Sequence, residues 1–189
     1  MRVAPIGLLS SAPYDLACAA AALTHGHPAG AHASGVFAEI IAELIEGASL
    51  PVAVHRVWAR RRSEVHHDVR VRVDAALDLA REDTPPSVAQ VERLGGGWVA
   101  EEALAIALYC ALVEPDVEEA LILSVNHSGD SDSTGAIVGN LLGAAYGASA
   151  LPALWREMVE ARYILDAVAD AVVGARNGDE VDVARFPSN

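Results

Sequence analysis

The chain has 189 residues, of which 52% are hydrophobic and only 5% aromatic. This length fits one domain with a substantial core, and an Ala-rich, aromatic-poor composition favours closely packed helices over a β-sandwich. The formal net charge is −13 at pH 7, and every basic residue is an arginine. Because such a charge repels a phosphate backbone, we expect no general binding to nucleic acid.

The N-terminal residues and the cysteines indicate a cellular compartment. Residues 1–7 lack the basic region and apolar run of a secretory signal peptide. Cys18 and Cys110 are isolated among Ala and Leu in helical patterns, which predicts buried thiols rather than a disulfide framework or a zinc pair. We therefore expect a cytoplasmic protein in a reducing environment.

Apolar residues at helical spacing recur along the whole chain, separated by Pro, Gly and Asp signals. The alternation of Val69, Val71 and Val73 also suits a short strand. The pattern predicts an all-α fold, a compact single-domain helical bundle over 1–176, followed by a polar C-terminal tail over 177–189. The predicted helices lie at about residues 14–25, 36–45, 51–62, 69–81, 87–94, 101–112, 115–124, from 133 onwards, and 152–175.

One segment has two interpretations. Residues 133–155 carry no charge, and from Gly135 to Gly147 a glycine recurs at every fourth position. The length and the small-residue spacing both fit a transmembrane helix. Asn140, Pro152 and the low apolar density of this Gly/Ala-rich stretch favour instead a central helix of a soluble bundle, so we expect no membrane association.

The segment from Asn126 to Gly135 reads Asn-His-Ser-Gly-Asp-Ser-Asp-Ser-Thr-Gly. Its two carboxylates and its hydroxyls are the ligands that Mg²⁺ and Mn²⁺ prefer. An EF-hand loop would need a glutamate where Leu141 stands, so that alternative is excluded. Helix capping explains one Asp or Ser, but not the whole cluster. Chemistry alone therefore favours a metal site at Asp130 and Asp132 over pure capping.

Two carboxylates do not complete the coordination of such an ion. Water, substrate or carboxylates elsewhere in the chain must supply the other ligands. The scattered candidates are Asp15, Glu39, Glu43, Glu101 and Glu102.

The histidines away from this cluster give a weaker signal. His66 and His67 lie in a polar stretch and are interpreted as a surface pair. His27 and His32 follow His25 in the chain and are interpreted as solvated residues of a loop. Trp98 fits a core anchor and a substrate platform equally well.

Four segments together resemble the ADP-ribosylglycohydrolases, the family of dinitrogenase reductase-activating glycohydrolase. Asn126–Gly147 resembles the C-terminal metal motif of that family. Met1–Gly7 resembles the end of its Gly-rich substrate loop, and Leu23–Pro28 resembles its Thr-His turn. Gly95–Leu104 resembles its second Gly loop and the helix that follows.

The resemblance implies a helical bundle with a binuclear Mg²⁺ or Mn²⁺ site that grips the ribose of an ADP-ribosyl group. Its members hydrolyse the bond between that ribose and a protein side chain or a small molecule, so the implied partner is an ADP-ribosylated protein or an ADP-ribose-like small molecule. By position, the implied metal ligands are Asp130, Asp132 and Ser133, and the implied substrate-binding residues are His25, Gly97 and Trp98.

Part of the family pattern has no counterpart in this sequence. The Gly-Asp-Ala-rich helix and the Thr-Asp-Asp ligand set of the family's N-terminal segment are missing, because the resemblance begins inside the substrate loop. Two hypotheses follow: a hydrolase whose remaining ligands come from a second copy, another chain or a rearranged site, or a relative without catalysis that still binds ADP-ribose or serves as an interaction module. A fragment of a longer gene product is a third interpretation.

Overall fold

The computed structural model describes residues 1–182 and 185–186, and these residues form helices without any β-strand. Eleven α-helices lie within this described part of the chain. A 3₁₀ turn covers Ala148–Ala150. The helices are α1 Ala4–Leu9, α2 Pro13–Ala22, α3 Pro28–Ile45, α4 Leu50–Arg61, α5 His67–Leu79, α6 Val88–Arg93, α7 Ala100–Val113, α8 Val117–Val125, α9 Ser131–Tyr146, α10 Ala153–Met158 and α11 Arg162–Arg176.

The larger of two compact units spans Met1–Pro152 and contains the hydrophobic core. Its central helices are α3 and α7. Nine consecutive residues of α7, Ala103–Ala111, are buried. A helix that is apolar on every side must be surrounded by others, and α7 packs against α3, α5, α8 and α9. The prediction of an all-α bundle is confirmed.

The strand alternative for the Val69–Val73 segment is wrong, because this segment belongs to α5. Val69 and Val73 are 0% and 1% exposed, whereas Val71 between them is 48% exposed. In a strand all three side chains would share one face, but in a helix residues four apart share it. The burial pattern therefore follows the helical period.

The glycine-striped segment forms α9, which lies in the bundle. It buries Ile137, Val138 and Leu141 and exposes Asn140. The glycines allow close approach to α8, since a Cβ at Gly135 would lie 2.6 Å from Val125 Cγ1. None of the helices in the described residues combines the length and apolarity that a membrane span needs.

The smaller unit, Ala153–Asn189, contains α10 and α11. The prediction of a single helix over 152–175 is wrong, because α10 ends at Met158 and α11 begins at Arg162. Ala161 lies at φ 56°, in the left-handed region that ends an α-helix. The boundary at residue 176 stays a prediction, and residues 183–184 and 187–189 of the predicted tail lie outside the described residues.

Candidate functional site

Asp130 is the residue that caps the N-terminus of α9. Its carboxylate accepts a hydrogen bond from the Ser133 backbone N–H at 3.4 Å. Asp132 follows in the first helical turn, where the helix dipole favours negative charge. Capping and close grouping of oxygen ligands therefore coexist here, because the capping carboxylate lies beside the Asp132 carboxyl and the Ser133 hydroxyl.

A buried hydrogen-bond chain fixes the segment that precedes α9. The Gly129 backbone N–H donates to His127 Nδ1 at 3.1 Å, so that nitrogen carries no proton. His127 Nε2 lies 2.9 Å from Thr134 Oγ1 and therefore donates to it. Thr134 then donates to the carbonyl of Ser124 at 2.7 Å. These hydrogen bonds connect the turn before α9 to the end of α8 and to the first turn of α9.

The second glycine loop lies directly against this turn. The Asp130 backbone N–H donates to the Gly96 carbonyl at 2.7 Å. On its other side, Gly96 donates to Glu102 Oε2 at 3.1 Å, and Glu102 is paired with Arg72 at 3.1 Å. Gly97 has a φ of +74°, at which a residue with a side chain would be strained. The loop thus connects the start of α7 to the start of α9.

Hydrogen bonds join Arg2 to the end of α2 and to the turn that follows it. The Arg2 guanidinium donates to Thr24 Oγ1 at 2.8 Å and to the Ala20 carbonyl at 2.9 Å. Thr24 Oγ1 lies 2.8 Å from His25 Nδ1, which orients the imidazole. Sequence reasoning did not single out Arg2, because a hydrogen bond between residues 22 positions apart has no local signal.

These segments surround one cleft of about 460 Å³. The predicted substrate residues His25, Gly97 and Trp98 line it together with Asp130 and Ser133. Gly97 is buried, whereas Trp98 is 73% exposed and so is not a core anchor. Other lining residues are Met1, Arg2, Val3, His27, Ser34, Phe37, Glu101 and Ile137.

Asp132 is exposed and lies outside the cleft lining, next to Asp130. Contact with the Asp132 carboxyl, and then with the hydroxyl and backbone N–H of Ser133, holds the pKa of Asp130 below its usual range. Two neighbouring carboxylates repel each other, and a cation bound between them relieves that repulsion. The oxygen donors of these three residues therefore fit a hard divalent cation.

The five scattered acidic candidates have different surroundings. Glu101 lines the cleft, and among the described residues it is the one of the five that does so. Arg60 and Arg61 pair with Glu39, and Arg60 also pairs with Glu43. The remaining candidates lie elsewhere, Glu102 beneath the glycine loop and Asp15 exposed in the first turn of α2.

Several known proteins are similar to this chain in sequence. The chain is 27% identical over 202 residues to the ADP-ribosylhydrolase ARH3 of Bos taurus, covering 91% of the chain and 55% of the relative. The chain is also 27% identical over 203 residues to the human ADP-ribosylhydrolase ARH3, and this match covers 91% of the chain and 56% of the relative. An uncharacterized protein of Archaeoglobus fulgidus is 30% identical over 174 residues, with 89% and 55% covered. The chain therefore spans about half the length of the curated relatives that it matches.

A solved structure described as an ADP-ribosylglycohydrolase-related protein complex superposes with a TM-score of 0.73. It is 27% identical in sequence, and the match covers 92% of the chain and 57% of the solved one. The family model for ADP-ribosylglycohydrolase matches residues 1–181, which include every segment that lines the cleft. This chain belongs to the ADP-ribosylglycohydrolase family.

Proposed function

We propose that the cleft binds the ADP-ribosyl group of an ADP-ribosylated protein or small molecule, and that the chain acts in metal-dependent hydrolysis of the ribose glycosidic bond. The carrying observation is that one cleft gathers His25, the Gly97–Trp98 loop and Asp130 from three distant parts of the sequence. Its volume of about 460 Å³ falls within the range of small-molecule sites.

The cleft walls offer groups that suit the chemistry of ADP-ribose. Arg2 supplies a fixed positive charge for a diphosphate, because guanidinium groups bind phosphate oxygens through paired hydrogen bonds. The exposed indole of Trp98 can stack on the adenine ring. His25, oriented by Thr24, supplies a ring nitrogen for a ribose or phosphate oxygen.

Asp130, Asp132 and Ser133 would hold Mg²⁺ or Mn²⁺, with Glu101 as a further carboxylate on the same cleft. A cation held there would supply the charge that orients the ribose hydroxyls and a nucleophilic water while the ribose develops oxocarbenium character. The chain itself positions these carboxylates through the Asp130 cap and the Gly96 contact.

Isothermal titration calorimetry tests this proposal with ADP-ribose and Mn²⁺ as the probes. We expect ADP-ribose to bind more tightly with Mn²⁺ present, and Asp130→Asn and Glu101→Gln to lower Mn²⁺ affinity by at least about tenfold, since affinity follows ligand number and charge. Glu119→Gln, at an exposed site on α8, is the matched control. Absence of ADP-ribose binding with and without metal contradicts the proposal.

Binding without hydrolysis is the second candidate. It is favoured by the observation that Glu101 is the single member of the five acidic candidates that lines the cleft within the described residues. Incubation of the chain with an ADP-ribosylated peptide and Mn²⁺, followed by mass spectrometry, separates the two functions. Released ADP-ribose supports the hydrolase, and an intact peptide together with measurable ADP-ribose binding supports the binding protein.

A further inference from the structure

Two histidines face each other where α3 and α5 begin. His27 is the N-cap residue of α3, and His66 is the N-cap residue of α5. Their ring centroids are 4.9 Å apart, with the rings nearly perpendicular at 76°. Asp68 Oδ2 lies 3.4 Å from His66 Nδ1. The interpretation of His66 and His67 as a solvated surface pair therefore misses a contact between distant segments.

The three side chains each present one potential ligand atom, and these atoms all lie within 4.8 Å of one another. In a tetrahedral site with bonds of about 2.0 Å, ligand atoms are about 3.3 Å apart. The ligand atoms must therefore move closer together when an ion binds. The His27 side chain can make this movement, because it is exposed and can rotate. Two imidazoles and one carboxylate form a ligand set typical of zinc and related transition ions.

We propose that His27, His66 and Asp68 form a transition-metal site, with Zn²⁺ the favoured class of ion, which joins the turn before α3 to the start of α5. The donor set differs from the Asp130 cluster, since imidazole favours zinc-like ions whereas oxygen ligands favour Mg²⁺ and Mn²⁺. The proposed site therefore differs from the metal site of the proposed function in its ligand residues and in its ion.

Two local interactions compete with the ion. His27 Nδ1 accepts from the Ala29 N–H and His66 Nδ1 accepts from the Asp68 N–H, each at 3.3 Å. A metal on Nδ1 takes the place of the backbone N–H, and a metal on Nε2 moves the ring proton onto Nδ1, so either mode of binding ends these hydrogen bonds. Both hydrogen bonds are long and therefore weak, so their loss costs little free energy. The carboxylate of Asp68 offsets the positive ends of the two helices.

The site has a consequence for the cleft because His27 also lines it. The turn that carries His25 and His27 is exposed, and a metal bond from His27 to α5 fixes the end of that turn. An ion at this position therefore ties one wall of the ADP-ribose cleft to a helix that is packed in the core.

Zinc titration of the whole chain tests the proposal, with calorimetry for affinity and ¹⁵N NMR of the imidazoles for the ligands. The background is Cys18→Ser, which removes the half-buried thiol as a competing ligand. We expect one Zn²⁺ per chain and shifted ring nitrogens at two of the seven histidines. His27→Asn, His66→Asn and Asp68→Asn each weaken binding by at least about tenfold. The histidine substitutions leave a residue that still caps a helix.

The matched control is His67→Asn, because His67 is exposed and its Nδ1 lies 3.1 Å from Arg70. Its Zn²⁺ affinity should equal that of the background. Asp130→Asn should also retain Zn²⁺ while losing Mn²⁺, which separates this proposal from the proposed function. Zinc binding that is unchanged in His27→Asn or His66→Asn overturns the proposal, as does a shift at other histidines.

Discussion

Gly129 packs against the backbone of the Gly96 loop, next to Asp130. A Cβ at this position would fall on the Gly96 carbonyl. The atoms that a Cβ would overlap belong to the Gly96 backbone, so no side-chain rotation can relieve the overlap. We predict that Gly129→Ala lowers the free energy of unfolding by about 2 kcal/mol or more and abolishes ADP-ribose binding, because it separates the Gly96 loop from Asp130. Urea unfolding and calorimetry measure the two effects.

Gly143→Ala is the control for this prediction. Gly143 is a helical glycine of α9, and a Cβ at this position would meet no neighbouring side chain or loop within 4 Å. Alanine there should raise the free energy of unfolding by up to about 1 kcal/mol, since it restricts the unfolded chain and favours helix. If Gly129→Ala unfolds at the same urea concentration as Gly143→Ala, the close contact does not limit the fold.

Residue identity was enough to predict part of the site. Acidic side chains in one short segment indicated Asp130 and Asp132, and the family resemblance added Ser133. Asp130 and Ser133 line the cleft, whereas Asp132 lies outside its lining. The sequence could not predict the contact of Arg2 with Thr24 or the contact between His27 and His66. Those interactions join residues 22 and 39 positions apart, and no local pattern encodes which helices will meet.

At the scale of helices, charged side chains clamp α2, α3 and α4 together. Glu39 of α3 is 8% exposed and accepts two hydrogen bonds from Arg61 of α4, at 2.7 and 3.3 Å. The same guanidinium lies 4.1 Å from the centre of the Tyr14 ring on α2. Arg61 therefore links three helices, because an arginine can bind a carboxylate and an aromatic face at the same time.

A second contact of this kind makes stability depend on pH. Asp74 of α5 accepts hydrogen bonds from Arg62, and from Trp58 Nε1 at 2.9 Å, and both hold its pKa below the usual range. A lowered pKa stabilises the fold fully above about pH 5, and this contribution is lost as pH falls below about 4. We predict that Asp74→Asn destabilises the protein at pH 7 and that the difference vanishes in acid, as measured by urea unfolding at several pH values.

Asp78→Asn is the control for the pH dependence. Asp78 lies one turn further along α5 and pairs with Arg81, but its side chain is 77% exposed. An exposed pair contributes little, so this substitution should leave the unfolding midpoint unchanged at every pH. A difference between Asp74→Asn and the unaltered chain that is as large in acid as at pH 7 contradicts the electrostatic explanation.

The helical period predicted most of the elements, including α7 to within one residue at each end, but it missed α1 and the first eight residues of α3. It failed between α10 and α11, where residues 159–161 read Val-Glu-Ala. No Pro or Gly marks this break, and the left-handed Ala161 is a conformation that local sequence does not favour. The break therefore has no local sequence signal from which it could be predicted.

At the scale of the molecule, the unit Met1–Pro152 derives its cohesion from one continuous core around α7. Helices that line the cleft also line this core: Leu104 of α7 and Ile137 of α9 belong to both. A ligand in the cleft therefore contacts elements whose separation requires opening of the core. Binding should stabilise the whole unit rather than one loop.

Cys110 reports on that opening, because it is fully buried within α7 and burial raises its thiol pKa to about 12. Alkylation requires an exposed thiolate, so in Cys18→Ser we predict that iodoacetamide reacts with Cys110 only when the core opens. The logarithm of the labelling rate should rise with urea at the slope of equilibrium unfolding, and ADP-ribose should slow it. Cys110→Ser is the control: the half-buried Cys18 should react through local motion, with a weaker urea dependence. A Cys110 rate that does not respond to urea would show that α7 is reached without opening the core.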